Sequence, residues 1–104
     1  MKISFDVDGV LDTEQGMALA RRKIANGDRV YIITARNEER MAAEVYAIAQ
    51  ELGIQRLRVY FTNGEDKWRT IRRLGIEMHY DNNEEQYNKI KENTDSDAEL
   101  VDYE

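Results

Sequence analysis

Hydrophobic residues along the first 92 positions follow two different spacings. Four short runs rich in β-branched and aromatic residues predict strands, and they cover residues 2–7, 29–34, 57–61 and 76–80. Elsewhere, apolar residues recur every three or four positions, which predicts helices that begin after Asp12, near 37, near 65 and near 83. The predicted order of elements is therefore βαβαβαβα.

Polar residues at the expected helix ends refine these boundaries. Asp12 is the expected N-cap of the first helix, with Gln15 at its third position, and Asn26-Gly27 ends that helix. Gln86 is placed to complete a capping box at the start of the last helix. The inward stripe of the second helix, which runs over 37–52, is predicted to consist of Met41, Val45, Ile48 and Leu52.

Strands that alternate with helices predict a parallel sheet covered on both faces. The expected fold is an α/β, three-layer, Rossmann-like sandwich with four to five parallel strands. Residues 1–93 form the predicted core. Residues 94–104 hold five acids and no base, so the simplest interpretation is a solvated, partly disordered tail. The alternative is that Glu99–Tyr103 adds an edge strand.

Composition narrows the classes of function. With 104 residues, the chain has room for one domain and one hydrophobic core. It has no cysteine, and its one histidine, His79, cannot make a poly-histidine zinc site. No apolar run is long enough to cross a bilayer and no signal-peptide pattern begins the chain, so we expect a cytoplasmic protein. Without the acidic tail, 16 acids balance 15 bases, which does not indicate a broadly basic nucleic-acid surface.

Chemically useful side chains stand at the carboxyl ends of the predicted strands, where ligands bind in parallel sheets. Asp6 and Asp8 follow the first strand, Thr34 ends the second, the turn after the third leads to Lys67, and Asp81 follows the fourth. If the first strand continues, Asp6 and Asp8 point the same way, and a divalent cation would relieve their repulsion. We therefore expect all five side chains to meet at one edge of the sheet.

The segment FDVDGVLDT over 5–13 resembles the first motif of the haloacid dehalogenase superfamily of phosphotransferases. The other three motifs of that family have counterparts in order, in Thr34 of IITAR, Lys67 of EDKW and Asp81 of HYDNN. The resemblance covers residues 2–92. One departure is Asn82, which stands where many members carry a second acid. We expect this change to weaken metal binding without abolishing it.

The resemblance implies a role for each of these residues. Asp6 would be the nucleophile that forms an aspartyl-phosphate, and Asp8 would be the general acid and then the general base. Thr34 and Lys67 would bind the phosphoryl group. Mg²⁺ would be held by Asp6, the main-chain carbonyl of Asp8, and Asp81. Arg36 is close enough to bind a substrate phosphate, although a surface role fits it equally well.

Spacing between the motifs leaves no room for the cap domain that many members of the family carry. One helix fills the interval from Asp6 to Thr34, and one helix and one strand fill the interval from Thr34 to Lys67. An open site can admit a bulky phosphate, or a partner subunit can close it, and the oligomeric state stays open. The TAR tripeptide at 34–36 and the small size also resemble, more loosely, the phosphatase part of bacteriophage polynucleotide kinase–phosphatases and small nucleotidases.

The expected function is therefore a Mg²⁺-dependent phosphomonoesterase that acts on nucleotide or polynucleotide-end phosphates. Two alternatives are a non-catalytic module that keeps the fold, and phosphotransfer to an acceptor other than water. The remaining polar residues have simpler interpretations. His79 is expected to be a packing or edge residue, Trp68 a core residue, and the arginines of the third helix solvating side chains.

Overall fold

The computed structural model describes residues 1–103 as one α/β unit. Its strands are β1 (Lys2–Phe5), β2 (Arg29–Thr34), β3 (Val59–Phe61), β4 (Met78–Asp81) and β5 (Asp97–Leu100). Its helices are α1 (Glu14–Ala25), α2 (Glu38–Leu52), α3 (Trp68–Leu74) and α4 (Glu84–Asn93). Among these residues, every helix is too short or too polar to traverse a bilayer.

The five strands form one parallel sheet in the order β3-β2-β1-β4-β5. The predicted α/β sandwich is thus confirmed. β1 is the central strand, with β2 on one side and β4 on the other. The chain order reverses direction beside β1, which is the place where such sheets form a ligand crevice.

Alternating side chains of the sheet build two separate cores. Ile3 and Phe5 of β1 pack with buried residues of α1 and α2 on one face. Tyr31 and Ile33 of β2 point to the opposite face and pack with Ile71 of α3 and buried residues of α4. Because both faces are covered, the strands read as nearly continuous apolar runs.

Three local predictions are wrong. The N-cap of α1 is Thr13, whose hydroxyl accepts from Gly16 N–H at 3.0 Å, while Asp12 instead accepts from Gly9 N–H at 2.8 Å. Met41 is 48% exposed, because α2 is kinked at that residue and leaves it outside the apolar stripe. α3 begins at Trp68 rather than near 65, since Thr62 ties the preceding loop by donating to Glu65 C=O at 2.7 Å.

The acidic tail is part of the sheet, so its interpretation as a solvated, partly disordered end is wrong. β5 runs beside β4, with Asp97 paired to Met78, two residues before the alternative strand that the sequence offered. Ala98 and Val101 are buried, whereas the acids on β5 face solvent. Alternation along an edge strand therefore explains why so acidic a segment is ordered.

Candidate active site

The carboxyl ends of the central strands surround a cavity of about 330 Å³. Asp6 and Asp8 follow β1, Asn82 follows β4, and Lys67 immediately precedes α3. All four line the cavity, together with residues of the loops after β2 and β3 and of α4. Of the five side chains expected to meet here, Asp6, Asp8 and Lys67 therefore line the cavity, whereas Thr34 and Asp81 do not.

Lys67 connects two buried carboxylates at the base of the cavity. Its Nζ lies 2.8 Å from Asp6 Oδ1 and 2.7 Å from Asp81 Oδ2. The side chains of Lys67, Asp6 and Asp81 are 3%, 7% and 0% exposed. Among residues 1–103, two buried acids thus share one buried cation, and the group carries a net negative charge out of water.

Burial of this excess negative charge raises the pKa of Asp6. Burial raises the pKa of Asp6 to about 7, because the attraction of Lys67 only partly offsets desolvation and the nearby Asp81 adds repulsion. Burial would also raise the pKa of Asp81, but a hydrogen bond from His79 and the charge of Lys67 hold that pKa below its usual range. Asp81 is therefore the ionised member of the pair, and Asp6 titrates near neutral pH.

Asp8 occupies a different environment from Asp6, because β1 ends at Phe5 and the chain then enters a wide turn over Val7–Leu11. The Asp8 side chain is 60% exposed and does not share the buried crevice. The repulsion that the sequence suggested between Asp6 and Asp8 is instead a repulsion between Asp6 and Asp81. Asp6 and Asp8 would point the same way only if β1 continued to Asp8, and β1 ends at Phe5.

Arg36 holds the Asp8 carboxylate in a two-point grip. Its Nε donates to Asp8 Oδ2 at 3.1 Å and its Nη2 to Asp8 Oδ1 at 2.7 Å, while its Nη1 lies 2.5 Å from Glu44 Oε1 on α2. These hydrogen bonds lower the pKa of Asp8. Arg36 does not line the cavity, and its guanidinium is bound to the carboxylates of Asp8 and Glu44.

Thr34 is fully buried at the end of β2, and its hydroxyl oxygen accepts from Arg36 N–H at 3.2 Å. It is not among the residues that line the cavity. Thr34 therefore shapes the turn that carries Arg36. Of the predicted site residues, Asp6, Lys67 and Asp81 form one cluster. Asp8 and Arg36 form a separate pair, and Thr34 contacts the main chain of Arg36.

Two polar residues that the sequence analysis did not single out as functional support Asp81 from within the sheet. His79 Nε2 lies 2.8 Å from Asp81 Oδ2, and His79 Nδ1 lies 2.6 Å from Ser4 Oγ. Burial lowers the pKa of His79, so the ring is neutral, donates to Asp81 and accepts from the Ser4 hydroxyl. His79 is thus no edge residue. A signal existed in the sequence, since His79 shares a strand face with Asp81.

Gln86 joins α4 to the loop that carries Lys67. Asn83 caps α4 by accepting from Gln86 N–H at 3.0 Å, as expected. The side chain of Gln86 does not close the predicted capping box. Its Oε1 accepts from Lys67 N–H at 3.0 Å, and its amide nitrogen donates to Asp66 at 3.0 Å. A residue of α4, the helix that follows β4, therefore helps to fix the position of Lys67.

The fit of a Mg²⁺ ion to this site depends on the orientation of the Asn82 side chain. With its amide nitrogen turned inward, Asn82 donates to the main-chain carbonyl of Asp8 at 2.9 Å and to Asp6 Oδ2 at 3.3 Å. With the Asn82 oxygen in that place, it would lie at the same distances from the Asp8 carbonyl and Asp6 Oδ2, near the ~3 Å expected between neighbouring ligands of an octahedral Mg²⁺. Residues 1–103 group no three His, Asp or Glu side chains as metal ligands. The metal would therefore depend on main-chain and amide oxygens besides carboxylates.

Comparison with known proteins adds no family assignment. A scan against models of protein families and a search among curated proteins both found no match. The resemblance of the four motifs to the haloacid dehalogenase superfamily therefore stays a prediction from the sequence.

Proposed function

We propose that this protein is a phosphomonoesterase of the haloacid dehalogenase type, dependent on Mg²⁺ and acting through an aspartyl-phosphate on Asp6. One observation carries the proposal: a buried carboxylate at the end of the central strand faces a cavity and is paired with a buried lysine. A buried acid is costly to ionise, and a protein keeps such a group at a ligand crevice when its chemistry requires it. The four motifs in order support the same assignment.

In this proposal, Asp6 attacks the phosphorus of the substrate and displaces the alcohol. Lys67 stabilises the charge that is shared between Asp6 and the phosphoryl oxygens, because its ammonium group is already fixed between two carboxylates. Mg²⁺, held by Asp6, the Asp8 carbonyl, Asn82 and Asp81, would supply positive charge that keeps Asp6 ionised. Asp81, supported by His79, remains an anion throughout.

Asp8 is the proposed proton carrier. Because Arg36 favours its ionised form, Asp8 is set in this state to accept a proton from the water that hydrolyses the phosphoenzyme. Asp8 must first protonate the leaving alcohol. For that step its carboxylate has to release the hydrogen bonds from Arg36 and contact the substrate instead. Arg36 then becomes free to bind a phosphate oxygen, which is the role that the sequence suggested for it.

The substrate is proposed to be a phosphomonoester with an accessible phosphate, such as a nucleotide or a polynucleotide end. Within residues 1–103, the turn Val7–Leu11 and α1 lie between β1 and β2. Between Thr34 and Lys67 lie α2, the short helical turn Arg56–Arg58 and β3. Neither interval contains a unit that covers the cavity. Selection must then come from residues on the rim, among them Glu65 and Glu85.

The direct test is hydrolysis of an aryl phosphate with Mg²⁺, by wild type and by Asp6→Asn. We expect release of phosphate from wild type and its loss in the variant. Asp28→Asn is the matched control, since it makes the same change at the far end of the sheet, where Asp28 pairs with the N-terminus. Equal rates for wild type and Asp6→Asn across metals and substrates would favour the non-catalytic alternative.

A second measurement does not require turnover. Fluoroberyllate with Mg²⁺ mimics an aspartyl-phosphate, so it should raise the melting temperature of wild type and leave that of Asp6→Asn unchanged. Absence of a shift at saturating fluoroberyllate contradicts an assembled site. Transfer of the phosphoryl group to added alcohols, detected as new phosphate esters, would identify the acceptor as something other than water.

A further inference from the structure

The charge of this protein is strongly uneven along the chain. Residues 54–76 carry a net charge of +4, whereas the rest of the chain carries −10. Five arginines of this segment, together with Arg29 at the start of β2, make no ion pair or side-chain hydrogen bond within residues 1–103: Arg56 and Arg58 just before β3, and Arg69, Arg72 and Arg73 on α3. Their donors are therefore available to an anionic ligand.

Aromatic rings hold three of these guanidinium groups. Arg73 lies 5.9 Å from the ring centre of Tyr60, and Arg69 lies 4.5 Å from that of Trp68. Arg56 lies 4.1 Å from the ring centre of Tyr46. An arginine stacked on a ring keeps its N–H donors free and loses less conformational freedom when it binds an anion. The interpretation of these arginines as mere solvating side chains is thus incomplete.

A groove of about 410 Å³ lies along the edge of the sheet, beside β3, and two of these arginines, Arg29 and Arg58, line it. Its lining combines guanidinium groups with flat or apolar side chains, and includes Arg29, Tyr31, Leu57, Arg58, Tyr60 and Leu74. Tyr31 and Tyr60 lie 6.5 Å apart between ring centres, and Leu57 is 71% exposed. The groove shares no residue with the cavity at Asp6.

We infer that the groove beside β3, with Arg29 and Arg58 in its lining and Arg73 over the ring of Tyr60, binds single-stranded nucleic acid. A single strand presents both phosphates and unstacked bases, and the groove offers both guanidinium donors and aromatic or apolar surfaces. An acidic peptide would use the arginines alone. The lining of the groove contains no acid, and charges more than about 8 Å away are largely screened at physiological salt.

The test is fluorescence anisotropy with a labelled oligothymidylate of about 12 nucleotides in EDTA, at low and at physiological salt. We expect wild type to bind and its affinity to fall as salt rises. The variant Arg58→Gln/Arg73→Gln should bind about tenfold more weakly and with a shallower salt dependence. The matched control is Arg21→Gln/Arg22→Gln, which removes the same charge from two exposed arginines of α1 and should bind as wild type does.

Three results would overturn the inference: no binding at low salt, equal weakening in both double variants, or competition by polyglutamate as strong as that by unlabelled oligonucleotide. The last result would identify a surface for acidic polypeptides instead. Melting temperatures of both variants should match that of wild type, so a lost affinity is not a lost fold. Asp6→Asn should bind the oligonucleotide unchanged, which separates this inference from the proposed phosphatase activity.

Discussion

Replacing Asp6 by Asn is predicted to stabilise the metal-free protein at alkaline pH. In the folded state the pKa of Asp6 is raised from 3.8 to about 7. The folded protein therefore pays for the ionised carboxylate at pH 8, and the linkage relation gives a cost of about 4 kcal/mol relative to its neutral form. Asn is a neutral group of the same shape. We expect Asp6→Asn to raise the free energy of unfolding by about 2–4 kcal/mol in EDTA at pH 8.

The same reasoning fixes the pH dependence. A raised carboxyl pKa means that the folded state binds the proton more tightly, so wild type gains stability as pH falls from about 7 towards 3.8. The advantage of Asp6→Asn should accordingly be about half as large at pH 5.5 as at pH 8. Groups common to both proteins, such as His79, cancel in the difference.

Urea unfolding followed by circular dichroism measures both quantities. Asp8→Asn is the control, because the pKa of Asp8 is lowered and its carboxylate is exposed and paired with Arg36. That variant should lose stability, by less than about 1 kcal/mol. The reasoning is refuted if Asp6→Asn gains nothing at pH 8, or if its gain is the same at pH 5.5.

Two further predictions concern the residues that shape the site. Gly9 has a φ of +78°, and a Cβ there would lie 2.0 Å from the Asn82 amide nitrogen. Gly9→Ala should therefore lower the free energy of unfolding in urea by about 3 kcal/mol. The control Gly27→Ala, at a φ of +90° with open space around it, should lower it by about 1 kcal/mol. Equal losses in the two variants would mean that the contact with Asn82 does not contribute to the destabilisation. His79→Leu removes a hydrogen-bond donor from buried Asp81 and should lower the free energy of unfolding by about 3 kcal/mol. His79→Gln keeps an N–H donor and should lower it clearly less in the same assay. Equal losses would assign the effect to packing alone.

The sheet and its helices could be predicted because their apolar spacing extends over whole elements. The tail could not, because its acids outnumber the two inward residues, Ala98 and Val101, that place β5 beside β4. Composition measures the exposed side of a strand as much as the buried side, so an acidic edge strand resembles a disordered end. The start of α3 was missed for a local reason, since Thr62 holds the preceding loop with one hydrogen bond.

For the site, the strand-end rule predicted that Asp6, Lys67 and Asp81 come together, but it did not predict the separate pair of Asp8 with Arg36. Asp6 and Asp8 are separated by the turn that begins right after Phe5, and no spacing in the sequence reveals where β1 ends. The contact of His79 with Ser4 depends on the register between β4 and β1, where these two residues are direct partners. Such pairings become visible only after the strands are aligned.

The central position of β1 also has a consequence for how the molecule opens. β1 pairs with β2 after a loop of one helix, but it pairs with β4 only after about three quarters of the chain, with Ile3 opposite Met78. The contact between β1 and β4 therefore joins two parts of the sheet, β3-β2-β1 and β4-β5, and each part keeps its own strand pairing if that seam opens. Asp6 and Asp81 face each other across the seam. A ligand bound to both acids would fasten that seam, which hydrogen exchange would register as slower opening of the main-chain amides of β4.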